Sequence, residues 1–437
     1  MKDKILNLVY NFFIKSSDFN GIPLRSISKE MEIEYEKSIN IIKELVNEGS
    51  ITIQSSTNPH IIGFGIFPIE KQIQILEQAK DTKVKIQKIG EVEIRFERTK
   101  FPICLYPSSD YLKINRDVAG FNNAFYIQQL ALGEPQLKPV FFEIEVLDRY
   151  FNDPRFDFNF KDYSGRISCR YDENGKAILR DEDNVFLKSF GLGVDENNNR
   201  LAVVYLRYLK DLTAEHQMYW KGKEKSGKCT MLEEYRQNTI EGNWSSSHSI
   251  FSAFLAEQKA INELTQLIFS KTIFRKTFES EERPKEFTFF FVPTLKNYND
   301  FILLLDKMIS ENIDKDFFEG KIALFEYKEV EEGIVEKQWK GTLQLFEEWL
   351  RGEYEFKDQE TAAKLFKPLK KIRRERQTPA HRINENEYDS KYIERQKEVM
   401  KEAYSVFRNL RFVFQQHPSA LDYGIPKWLE KGQIKVF

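Results

Sequence analysis

The apolar residues of this chain change their repeat twice, and that change limits the folds open to it. Over residues 1–56 they recur at helical spacing. From residue 84 to about 210 they alternate in stretches such as VKIQKIGEVEIRFER and KPVFFEIEVLDRYF. From residue 249 onward the helical period returns. A chain of 437 residues holds about three domains at roughly 100–200 residues each. The pattern therefore predicts a multi-domain α+β protein: a small N-terminal module over 1–67, a central mixed α/β domain over 68–340 and a C-terminal helical bundle over 341–437.

Within residues 1–56, Ile5, Leu6, Val9, Phe12 and Phe13 predict a first helix. The turn DFNGIP follows. SISKEM reads as a short second helix capped by Ser26 or Ser28. EYEKSINIIKELVNEG reads as a third, with Ile39, Ile42, Leu45 and Val46 inward and Gly49 as its stop. SITIQ reads as a first wing strand, with the second expected near HIIGFGIF (60–67). This order resembles the winged helix-turn-helix family over about 60 residues. The resemblance implies that the third helix could enter a DNA major groove. That helix carries Glu34, Glu36, Glu44 and Glu48 against Lys37 and Lys43, a surface that phosphates penalise, so a role in protein contact stays open beside DNA binding.

PIEKQIQILEQAK (68–80) predicts a connecting helix. The cluster VDENNNR joins FLKSFGLGV to LAVVYLRYL as a hairpin, and KIALFEYKEV with IVEKQWKG predicts another. EFTFFFVP is expected as a buried strand. Further on, TLQLFEEWLRG, DQETAAKLFKPLKKIRRERQ and DSKYIERQKEVMKEAYSVFRNLRFVFQQH predict three helices. The second is expected to kink near Pro368, and the third to be capped by Asp389 or Ser390. The tail is expected to dock back through Trp428 and Phe437.

Charge is unevenly placed. The net charge is only −2. Yet Lys364, Lys367, Lys370, Lys371, Arg373, Arg374, Arg376 and Arg382 stand together against a single acid, Glu375. A positive segment on an acidic body calls for a polyanionic partner. Cys104, Cys169 and Cys229 lack metal-ligand or redox spacing, and so sparse a set fits a reducing, cytoplasmic setting. No apolar run reaches the roughly 18 residues of a membrane span, and the N-terminus lacks a signal-peptide cleavage site, so no membrane partner is expected.

Inside the basic segment, RERQTPAHR places Arg376, Gln377, Thr378 and His381 together. This resembles the HEPN superfamily, whose ribonucleases carry an Arg followed by a polar residue a few positions before a His. The resemblance covers about the last hundred residues. It implies a metal-independent endoribonuclease with Arg376 and His381 as catalytic residues, Gln377 and Thr378 in support, and a site completed by a second copy in a homodimer. Sensor-plus-ribonuclease chains of this kind resemble bacterial toxins and antiphage-defence effectors. The chemistry of the residues agrees in kind. Without a metal, the RNA 2′-hydroxyl must attack its own phosphate, and an imidazole can exchange that proton near neutral pH. A guanidinium can hold the phosphate oxygens as charge gathers on them. Lys370, Lys371, Arg373, Arg374 and Arg382 would hold the RNA backbone. No metal ligand cluster and no cofactor motif accompanies them.

Two other functions stay open: a winged-helix transcriptional regulator, and a non-catalytic interaction protein whose basic segment docks on an acidic partner. Further candidates have structural readings. Arg411 and His417 form a second Arg–His pair, but Phe412 follows the Arg. His216, Trp220, Trp244 and His248 lie in a polar, aromatic stretch and read as packed aromatics, with a base-stacking pocket as the alternative. GFGIF (63–67) and GLGV (191–194) read as strand glycines. Glu143 and Glu145 read as a solvated pair on one strand face.

Overall fold

A computed structural model of the chain describes all residues except 57, 82, 90–91, 99–101, 244–246, 280–281, 332–333, 357–358, 378–384 and 437. It is a mixed α+β structure that divides into two compact units: Met1–Phe158 with Arg166–Met231, and Asn159–Gly165 with Leu232–Phe437.

The first unit begins with α1 (Lys2–Lys15), β1 (Ile22–Pro23), α2 (Leu24–Glu30), α3 (Tyr35–Asn47) and β2 (Ile51–Ser55). Ile5, Val9, Ile27, Ile39 and Ile42 are all 0% exposed and form one core, as their spacing predicts. Gly49 ends α3 as expected. Its φ of +72° lets its own N–H bond the carbonyl of Val46 and that of Ser50 bond Leu45, so two orphan carbonyls are satisfied. Ser26 and Ser28 do not cap α2. The helix starts at Leu24 behind Pro23, which leaves both serines inside it, and Ser28 Oγ donates to the carbonyl of Arg25.

The chain continues through α4 (Ile69–Lys80), the hairpin β3 (Lys83–Ile89) and β4 (Val92–Arg98), and β5 (Ile103–Pro107). The strand partner expected at 60–67 is not there. β5 pairs with both β1 and β2 in the antiparallel order β1-β5-β2. The carbonyls of Ile62 and Gly63 instead accept from Gln136 and Leu137 N–H, so segment 60–67 has its backbone partners outside this sheet. Gln72 of α4 ties the sheet down. Its Oε1 accepts from Ile53 N–H (2.9 Å), and its Nε2 donates to the carbonyl of Phe67 (2.6 Å).

Next come α5 (Ser109–Asn115), α6 (Phe125–Ala131), β6 (Pro139–Glu143), α7 (Asp148–Asn152), β7 (Phe156–Lys161), β8 (Ser164–Cys169), β9 (Phe186–Asp195), β10 (Arg200–Tyr205), α8 (Leu206–Leu209), α9 (Ala214–Lys221) and β11 (Cys229–Met231). Their sheet runs β6-β10-β9-β8-β7, with β11 also on β9. β9 and β10 form the expected hairpin, and Asp195 Oδ1 accepts from Asn197 and Asn199 N–H in its turn (both 2.9 Å). Gly193 is needed in β9 because β11 passes close. A Cβ there would lie 2.8 Å from the Thr230 carbonyl and 3.0 Å from the Phe141 ring. Gly193→Ala is therefore expected to cost about 1–3 kcal/mol, read as a fall in the urea midpoint.

The second unit contains α10 (Glu233–Arg236), β12 (His248–Ser249), α11 (Ile250–Phe269), α12 (Leu295–Ile309), the expected hairpin β13 (Phe325–Glu331) and β14 (Ile334–Trp339), α13 (Thr342–Glu353), α14 (Gln359–Gln377), α15 (Lys391–Gln415), α16 (Lys427–Glu430) and β15 (Ile434–Lys435). α11 and α15 pack side by side, and the Phe254 and Phe407 rings lie 4.6 Å apart between centroids. α14 continues through Pro368. Ser390 holds the N-cap position of α15 without a side-chain cap bond, and Asp389 before it accepts from Lys391 N–H at 2.8 Å. EFTFFFVP is not a strand. Phe287, Phe289 and Phe291 are buried, but Gln396 donates to the Thr288 carbonyl and Asn297 to that of Val292, where a neighbouring strand would have bonded. In the tail, Trp428 docks by stacking on His248, while Phe437 lies outside the described residues.

Candidate functional site

The basic segment up to Gln377 lies in α14, where acids far away in sequence meet four of its charges, those of Lys370, Lys371, Arg373 and Arg376. Arg373 Nη1 and Arg376 Nη1 both reach Asp306 Oδ2 of α12, at 3.0 and 2.8 Å. Arg376 Nη1 also bonds Glu311. Lys370 pairs with Glu347 of α13, Lys371 with Glu402 of α15 (3.3 Å), and Lys364 with Glu360 (2.8 Å). Arg374 is engaged as well. Glu375 Oε2 accepts from Tyr298 Oη at 2.6 Å, with Arg395 at 3.6 Å.

Asp306 explains this arrangement. Its side chain is fully buried, and a buried carboxylate is tolerated only with partners of opposite charge and hydrogen bonds. Two guanidinium groups supply them. Hydrogen bonds to Asp306 and then Glu311 stabilise the charged form of Arg376 and raise its pKa above the ordinary arginine value. The Arg376 side chain keeps 28% exposure, so it is held in place yet reachable. Gln377 is the last residue of α14 and is exposed. Thr378, His381 and Arg382 lie outside the described residues.

The second Arg–His pair is structural. Arg411 is buried and donates through Nε and Nη2 to Glu257 and through Nη1 to Gln415 (2.6 Å). His417 Nδ1 accepts from Ser419 N–H at 3.2 Å. His216 and Trp220 are buried in the first unit as packed aromatics. His216 Nδ1 meets Tyr150 Oη at 2.7 Å, Trp220 Nε1 donates to the same hydroxyl at 3.0 Å, and His216 Nε2 faces the Asp183 carbonyl at 3.1 Å. Burial lowers the His216 pKa, which keeps that imidazole neutral. Trp244 is outside the described residues. Gly191 and Gly193 are strand glycines, whereas Gly63 and Gly65 are not in a strand. Glu143 ends β6 and Glu145 follows in a 3-10 turn, so the pair does not share a strand face. Lys223 Nζ bridges the two, at 3.1 and 3.4 Å.

His248 belongs to a different environment. It lines a cavity of about 310 Å³ between α11 and the chain's tail, where Trp428 stacks on it with centroids 4.0 Å apart and planes at 30°. No local pattern along the chain points to this cavity, because its walls come from residues 161, 248–263, 278–279 and 423–428. Among the described residues, no group of three or more His, Cys, Asp or Glu could hold a metal ion, and no helix is long and apolar enough to cross a membrane. Compared with family models, curated proteins and solved structures, the chain matches none.

Proposed function

We propose that the chain is a metal-independent endoribonuclease of HEPN type, with Arg376 and His381 as its catalytic pair and a homodimer completing the site. The observation that supports this reading is the anchoring of Arg376. Asp306 and Glu311 fix its guanidinium at the last turn of a packed helix, still part-exposed, five residues before the only imidazole of the basic segment. A planar, permanently charged donor held in this way can receive a phosphate without first being ordered. The phosphate would compete with Glu311, which is 40% exposed, more readily than with buried Asp306. Gln377, Thr378, Lys370, Lys371, Arg373, Arg374 and Arg382 are the supporting and RNA-holding groups of this proposal. Labelled single-stranded RNA incubated with the pure chain in EDTA should be cut, leaving 2′,3′-cyclic phosphate or 3′-phosphate ends. Intact RNA over a range of sequences, or cutting that needs a divalent ion, overturns it.

A second reading is favoured by one observation: Lys370, Lys371 and Arg373 already sit in ion pairs. In that reading the segment holds the helices together and the chain works as an interaction protein or regulator. The N-terminal helices and the sheet order β1-β5-β2 fit a winged helix whose third strand is delayed by an inserted helix and hairpin. DNA binding through α3 is disfavoured by its acids and by the engagement of Lys43 with Glu77 of α4. Mobility-shift assays with duplex DNA separate this role: sequence-specific binding that survives His381→Ala but not changes in α3, in a chain that leaves RNA intact, supports the regulator.

A further inference from the structure

We propose that the cavity lined by His248 and Trp428 is a binding site for an uncharged planar heteroaromatic ligand of the nucleoside class. It stands apart from the Arg376–His381 reading and would survive its failure.

The shape comes from α11. Ala256 and Ala260 stand on the helix face that floors the cavity, and with Ser252 and Gly424 they leave room above it. The volume of about 310 Å³ is at the small end of ligand sites, which run to about 300–1,000 Å³. The stacked Trp428 and His248 rings line it together with Phe278 and Tyr423, so a flat ring finds several aromatic side chains in one lining.

Charge decides between ligand classes. Lys161 and Lys259 face the cavity, and so do Glu263 and Glu279. Lys259 pairs with Glu279 and lies 4.0 Å from Glu263, while Tyr423 Oη donates to Glu263 at 2.5 Å. Asp162 sits behind this wall and is itself paired with Arg283. Burial lowers the His248 pKa, which favours the neutral ring near pH 7. The walls therefore carry two cations against two anions, a balance that rewards neither a polyphosphate nor a polyamine. They offer both donors and acceptors around apolar surface. A nucleobase presents that combination: flat faces for stacking and edges that both give and take hydrogen bonds.

Titration calorimetry of the full chain with adenosine, guanosine, cytidine and uridine tests the assignment, with ATP and spermidine as charged comparators. At least one nucleoside should bind saturably at sub-millimolar concentration and more tightly than either comparator. Ala256→Leu, which fills the cavity from a helix position that favours leucine, should abolish that binding while circular dichroism and the melting transition stay unchanged. Trp428→Ala should weaken it as well. Absence of saturable binding by all four nucleosides overturns the proposal. So does affinity unchanged in a folded Ala256→Leu chain, and so does tighter binding of ATP or spermidine, which would reassign the cavity to a charged ligand.

Discussion

His381→Ala should slow RNA cleavage by about 10²–10⁴-fold, the range in which a positioned proton-transfer group contributes. The reasoning starts from the reaction. When a 2′-hydroxyl attacks the adjacent phosphate, one proton leaves the nucleophile and another reaches the departing 5′-oxygen. With no metal to activate either oxygen, a group that titrates near neutrality must handle at least one of these transfers. His381 is the only histidine in the basic segment, so its loss should not be compensated nearby. Arg376 needs a different substitution. Arg376→Ala would strip a partner from buried Asp306 and confound chemistry with folding. Arg376→Lys keeps a cation against Asp306 but loses the planar fork, and it should lower the cleavage rate with little change in the melting transition. Single-turnover cleavage in EDTA, beside circular dichroism of each variant, reads both effects. A His381→Ala chain that cuts at the parent rate would leave the catalytic reading without a base.

What the sequence made legible was local. Gly49 could be read as a stop because only a residue free at positive φ closes α3 in that way. The β9–β10 and β13–β14 hairpins announced themselves through turn clusters between apolar runs. Signals that span distance were not readable. β5 supplies the strand between β1 and β2, but it follows β2 only after a helix and a hairpin, so the nearer apolar run at 60–67 was the natural and mistaken choice. The run of phenylalanines in EFTFFFVP has a strand's composition, yet Gln396 and Asn297 take up its backbone bonds. The basic segment looked like a free positive surface. The acids that meet it, Asp306 and Glu347, lie 67 and 23 residues before Arg373 and Lys370, and no local pattern points to them. Hydrophobic periodicity tells which face is inward. It does not tell which opposite charge will be waiting there.

The same logic governs Asp162, where the largest loss of stability is expected. Asp162 is buried and accepts from Ser249 N–H (3.1 Å), Ser249 Oγ (2.5 Å), Ser252 Oγ (2.8 Å) and Arg283 Nη1 (3.2 Å), with His248 Nδ1 at 3.8 Å. Ser249 is in turn the N-cap of α11, so the carboxylate secures the start of that helix through its cap. Arg283 has only 4% side-chain exposure and would be left as an uncompensated buried cation. Removing one partner of such a pair costs about 3–5 kcal/mol. Asp162→Asn is the informative variant. Residue 162 has φ of +54°, a conformation asparagine accepts and alanine resists, so the asparagine variant isolates the charge. Burial alone would raise the Asp162 pKa, but Arg283 and the serine hydrogen bonds more than offset it, and the carboxyl lies below its ordinary value of 3.8. A depressed pKa means that the unfolded chain takes up the proton first on acidification. The stability due to Asp162 is therefore complete above the unfolded value and drains away as pH falls through the folded one. Urea unfolding should show the parent chain well above Asp162→Asn at pH 7, with the gap narrowing steadily below about pH 4. Ser249→Ala, which removes the cap hydroxyl and leaves the ion pair, should cost only about 1 kcal/mol and narrow far less. A gap between parent and Asp162→Asn that stayed constant into acid would show that the carboxylate's charge contributes nothing to the fold.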